Sequence, residues 1–103
     1  MAKVVIVAIQ AQRRLYEIQG YHAGQGNPKK GIRTVQKLGK QMAKLSVHPE
    51  LGAVEEELSS DLLQFRSFVA LKDYRVFYVI QEKLVVVIEI FDVRQDPSRL
   101  KLG

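Results

Sequence analysis

Three arginines lie on or beside stretches with strand character. Arg66 is in Phe65–Leu71, Arg75 is in Tyr74–Ile80, and Arg94 follows Leu84–Val93. Tyr74 and Tyr78 are their neighbours in sequence. A guanidinium binds phosphate through two parallel N–H groups, and a tyrosine ring can stack on a base. If three successive strands brought these arginines to one edge, Arg66, Arg75, Arg94 and Tyr78 would suit RNA cleavage. The arginines would then stabilise a pentacoordinate phosphate. The weak point is proton transfer. Nothing legible is matched to take the 2′-hydroxyl proton, and arginine is too basic to do so comfortably. The structural reading, slightly favoured, pairs the arginines with Asp73, Asp92 or Asp96.

The clearest surface feature is Lys30, Arg33, Lys37, Lys40 and Lys44, which recur at steps of three and four. On a helix this spacing makes one basic face. It is either a solvated face or a contact for phosphates or an acidic protein. A polyanion contact would weaken steeply with salt.

Other chemistries are excluded or weakly supported. The chain has no cysteine, so a disulfide framework, a thiolate zinc site and a cysteine nucleophile are excluded. His22 and His48 are single and far apart; the first reads as a packed residue and the second as part of a helix stop. No P-loop, HExxH or GxSxG string occurs. Gly20, Gly24 and Gly26 follow no strand and so make no dinucleotide fingerprint. No cofactor and no metal are expected.

The elements that must position these residues follow from periodicity. Lys3–Ile9 is short and β-branched and reads as a buried strand. Ala11, Leu15, Ile18 and His22 then recur at helical spacing, and this helix ends in Gly24-Gln25-Gly26. Asn27-Pro28 starts a second helix, with Asn as cap and Pro in the first turn. Its apolar stripe is Ile32, Val35, Leu38 or Gly39, Met42 and Leu45, and His48-Pro49 ends it. Glu50–Leu63 is irregular and acidic. Phe65–Leu71, Tyr74–Ile80 and Leu84–Val93 read as three strands joined by short turns, which makes them an antiparallel meander. The tail leaves the sheet at or before Pro97. The first strand must join the sheet to satisfy its backbone. The expected fold is a two-layer α+β domain in the order strand-helix-helix-strand-strand-strand. A helical hairpin packs on a mainly antiparallel four-stranded sheet.

Composition agrees. At 103 residues and 47% apolar, the chain suits one domain over 1–103. Residues 1–48 hold nine basic residues and one acid, Glu17, whereas 49–103 hold seven basic and ten acidic residues. A basic first half suggests an anionic partner. No apolar run is long enough to span a membrane or form a signal-peptide core, so a cytoplasmic location is expected. Leu84–Ile88 is apolar on both faces of its strand. Helices cover one face; the termini, a second subunit or a partner segment should cover the other.

Five strings in order resemble the RelE/ParE superfamily of toxins from type II toxin–antitoxin systems. They are the first strand, AQRRLYEIQGY (Ala11–Tyr21), LSVHPELG (Leu45–Gly52), FRSFVALKDYRVFYVI (Phe65–Ile80) and FDVRQDP (Phe91–Pro97). The last is similar to the closing signature of the ParE and plasmid-stabilisation branch. The resemblance implies a bacterial growth-regulating toxin held inactive by an antitoxin. The antitoxin's usually acidic C-terminal segment would cover the helical stripe Lys30, Arg33, Lys37, Lys40 and Lys44 and the open sheet. It further implies either inhibition of DNA gyrase, as in the ParE branch, or ribosome-dependent mRNA cleavage, as in the RelE branch. Arg66, Arg75 and Arg94 occupy positions where the RNase branch has basic residues. However, Phe68 stands where a further basic residue is expected, and no Tyr or His follows Arg94. The departures favour binding over catalysis, with Arg94, Gln95 and Arg99 as target contacts. A degenerate toxin that only binds antitoxin is the third reading. A homodimer or a toxin–antitoxin hetero-oligomer is compatible with each.

Overall fold

A computed structural model describes residues 2–95, 97–100 and 102. Its elements are β1 (Val4–Val7), α1 (Ile9–Gly24), α2 (Pro28–Ala43), β2 (Ala53–Val54), β3 (Phe65–Ala70), β4 (Tyr74–Ile80) and β5 (Leu84–Asp92). The expected α+β order is present, with one correction. The sheet has five strands, ordered β1-β5-β4-β3-β2. The added strand, Ala53–Val54, pairs antiparallel with Ser67 and Arg66. Two residues are too few to show a period, so nothing marked it in the acidic stretch. β1 runs parallel to β5, Val4 opposite Leu84 and Val7 opposite Val87, while every other pair is antiparallel.

Local rules explain the helices. Asn27 accepts a hydrogen bond from Lys30 N–H, and Pro28 occupies the first turn of α2. Ile9 begins α1 rather than ending β1, and Ala8 N–H already closes the parallel ladder on Val87 O. On α2, Leu38, Met42 and, just beyond it, Leu45 are buried as the stripe requires, but Ile32 is exposed. Gly31 takes the inward position instead. A Cβ there would lie 2.8 Å from Gln19 O and 3.2 Å from His22 Cβ, so only glycine allows α2 to cross α1 this closely.

The core lies between the helices and one sheet face. Ala11, Ile18, Leu38, Met42 and Leu45 meet Val76, Tyr78, Val85, Val87 and Ile90. The opposite face is partly open, with Val4, Ile6 and Val69 exposed. At the outer edge of β1, Lys3 N–H donates to Ser46 O, Ser46 Oγ donates to Lys3 O, and Gln12 Nε2 donates to Val7 O. The chain thus occupies much of its own free edge, which discourages strand addition there. Among the described residues, no helix is long and apolar enough to cross a membrane.

Candidate functional site

Strand register decides which of the candidate residues meet. Arg66 is paired with Tyr78, whereas Arg75 is paired with Val69 on one side and Phe91 on the other. Side chains alternate across a strand and directly paired residues share a face. Arg66 and Tyr78 therefore lie on the helix-covered face and Arg75 on the opposite one. Arg94 follows the end of β5. The three arginines do not share one edge.

Each has a local task. Tyr78 is fully buried; its hydroxyl accepts Gly52 N–H at 2.8 Å and donates to Pro49 O at 2.7 Å. Arg66 Nη1 donates to Gly52 O at 2.8 Å. On the other face Arg75 Nη1 donates to Ser67 Oγ at 2.9 Å and lies 3.6 Å from Glu55, to which Ser67 Oγ also donates. The four side chains clamp the segment from Pro49 to Glu55 from both faces of the sheet. Gly52 is the tightest point. A Cβ there would lie 2.6 Å from Ser67 O and 3.0 Å from Tyr78 Cε1.

This clamp is poorly suited to proton transfer. Burial pushes the Tyr78 hydroxyl up from its ordinary value, outweighing the Gly52 N–H and Arg66, which act the other way. It is protonated at neutral pH with its own proton already donated. Among the described residues, no cluster of His, Asp and Glu could hold a metal ion.

Arg94 is held differently. Its Nε and Nη2 grip both Asp92 oxygens at 2.9 and 2.8 Å, and Asp73 is 3.9 Å away. Of the expected acidic partners, Asp92 and Asp73 are therefore present for Arg94 and Asp96 lies outside the described residues; Arg75 instead meets Glu55, which was not among them. Arg94 and Gln95 border a groove of about 440 Å³ between α1 and the end of β5. Arg14, Tyr21 and Tyr74 line its other parts. Nothing in the sequence pointed to this groove, because its two walls are more than fifty residues apart in the chain.

The hydrogen bond to Arg94 holds the Asp92 carboxyl below its ordinary range, against the opposing effect of burial. A depressed carboxylate stabilises the fold above its unfolded pKa, and that contribution is lost as pH falls through the folded one. Arg94→Gln is therefore expected to be less stable than the native chain at pH 7. The gap should narrow as pH falls below the ordinary carboxylate range and vanish only once the folded-state Asp92, held low by Arg94, is itself protonated. Thermal melts of both proteins from pH 7 downward check this; a gap that does not narrow as the pH is lowered would contradict it.

The basic face lies elsewhere. Lys30, Arg33, Lys37, Lys40 and Lys44 are all exposed along α2 and its exit, and Lys29 joins them. Among the described residues, none of the six pairs with a carboxylate. Arg99 is exposed in the short 3-10 turn Pro97–Arg99 beyond the groove.

Comparison with known proteins agrees with this architecture. The family model described as ParE toxin of type II toxin–antitoxin system, parDE, matches residues 5–97. A solved chain of the chromosomal ParDE TA system from P. aeruginosa is similar in fold, with a TM-score of 0.75 at 16% identity. The match covers 89% of this chain and 97% of that one. No curated protein matches.

Proposed function

Since the chain belongs to the ParE toxin family of type II toxin–antitoxin systems, we propose that it acts by binding DNA gyrase and blocking its reaction. The observation that carries this reading is the use to which the arginines and Tyr78 are put. Arg66, Tyr78 and Arg75 are committed to the Pro49–Glu55 clamp and divided between two faces of the sheet. That leaves binding surface rather than an acid–base pair. Arg94, Gln95 and Arg99, at the mouth of the groove and just beyond it, are the gyrase contacts in this reading. It places the protein in the cytoplasm with its target.

The family implies an antitoxin as partner. We propose that an acidic antitoxin segment is drawn to Lys30, Arg33, Lys37, Lys40 and Lys44 and anchors its apolar residues on the open sheet face around Val4, Ile6 and Val69. Opposite charge speeds the encounter and apolar burial holds the complex.

The test is supercoiling by purified gyrase with and without the purified chain. Inhibition or accumulation of cleaved DNA is expected, reversed by the antitoxin. Arg99→Ala and Gln95→Ala should each weaken inhibition by up to about tenfold, as a contact residue does. No inhibition by a folded chain, together with transcript cuts on translating ribosomes, would replace this reading with the RNase one.

A further inference from the structure

The face of α2 carries a charge pattern that the fold itself does not need. At 100° per residue, Lys29, Lys30, Arg33, Lys37, Lys40 and Lys44 fall within about 100° of arc and extend over about 22 Å. No acid occurs between Glu17 and Glu50. Elsewhere the chain neutralises several of its arginines: Arg14 with Glu17 and Glu89, Arg75 with Glu55, and Arg94 with Asp92. On α2 it leaves the cations unpaired. Two of them, Lys29 and Lys30, lie in the first turn, where no acid is present and the helix dipole opposes a positive charge. The others repel one another at steps of three and four. This arrangement disfavours the helix it sits on, and a polyanion would relieve it.

We propose that this face binds the phosphate backbone of duplex DNA. The proposal rests on the gyrase reading for the DNA concerned, since gyrase presents duplex DNA wherever it works. A duplex carries one charge per about 1.7 Å of axis, both strands counted, so a stripe of about 22 Å lies along a length that holds roughly a dozen phosphates. Between the cations the stripe holds Gln36, Gly39 and Ala43, and its one large apolar residue is Ile32, exposed at its margin. A protein partner seated on the stripe alone would have Ile32 as its single apolar anchor, whereas a phosphate backbone requires only cations and a smooth approach. Contacts made to phosphates fix position and carry no sequence information, so binding through this face is independent of sequence. The antitoxin's acidic segment then neutralises partly by occupying the place of DNA.

Fluorescence anisotropy with a labelled 20-base-pair duplex, between 50 and 200 mM salt, tests this. The purified chain should bind with a log–log salt slope of about −5, as six contacts require. Lys37→Gln/Lys40→Gln/Lys44→Gln should flatten the slope by about 3 and weaken binding at least tenfold. Arg13→Gln/Lys72→Gln/Lys83→Gln removes the same charge away from α2 and should change affinity less than about threefold. The proposal is overturned if both variants fall equally, or if the α2 variant keeps its DNA affinity. Loss of antitoxin binding alone would make the face a protein contact. No gyrase is present, so the supercoiling assay on the native chain decides the gyrase reading separately.

Discussion

Arg14→Met is expected to destabilise the protein by about 3 kcal/mol, enough to lower its Tm by more than about 10 °C. The cause is Glu89, which has no solvent exposure. β5 holds one residue more than β4 at this point: Phe77 pairs with Glu89 and Tyr78 with Val87, leaving Ile88 over. The Glu89 carboxylate reaches α1, where Arg14 Nε and Nη2 meet its two oxygens at 3.1 and 3.0 Å. Gln10 and Ile90 N–H complete its shell. Glu89 raises the affinity of Arg14 for its proton, so the guanidinium stays charged. Methionine keeps most of the stem of Arg14 but leaves a buried anion with only neutral donors. The figure is at the low end for a broken buried pair because Arg14 is partly open to water. Urea unfolding measures it. Arg14→Met/Glu89→Met should recover part of the loss, because the orphaned charge is gone. A double variant as unstable as the sum of the two singles would show that the pair does not act as a unit.

Tyr78→Phe is expected to remove about 2–3 kcal/mol of stability while leaving toxin activity intact below the melting range. The lost hydroxyl strands a buried N–H at Gly52 and a carbonyl at Pro49, and an unmet buried group costs about 1–3 kcal/mol. Phe68, whose ring lies edge-on to Tyr78 with centroids 6.1 Å apart, holds the remaining ring in place. A general base would behave in the opposite way, with stability kept and activity lost. Unfolding curves and gyrase inhibition, both measured at low temperature, separate the two. Unchanged stability with abolished activity would return Tyr78 to a chemical role. Gly52→Ala strikes the same clamp from the other side, since its Cβ has no room beside Ser67 O.

These residues also show where the sequence was legible. The second helix could be read from its start, because a cap and a first-turn proline act over four residues. Its basic and buried stripes follow from a period of 3.6. The bounds of β4, Tyr74–Ile80, were equally local, set by the two short turns that flank an apolar run. Five strings in order were enough to point to the family.

Which strand residues meet was a different matter. Alternation shows that neighbours within a strand face opposite ways, but not how one strand stands against the next. A slip of one residue would have put Arg66 and Arg75 on the same face. The pairing of Arg66 with Tyr78, the two-residue strand Ala53–Val54, and the contact of Glu89 with an arginine 75 positions earlier belong to the tertiary structure. Each depends on groups far apart in the chain that packing alone brings within hydrogen-bond distance. Residue types and spacing thus determined the elements and the basic face. Only register and long-range contact decided that Arg66 and Arg75 hold a loop.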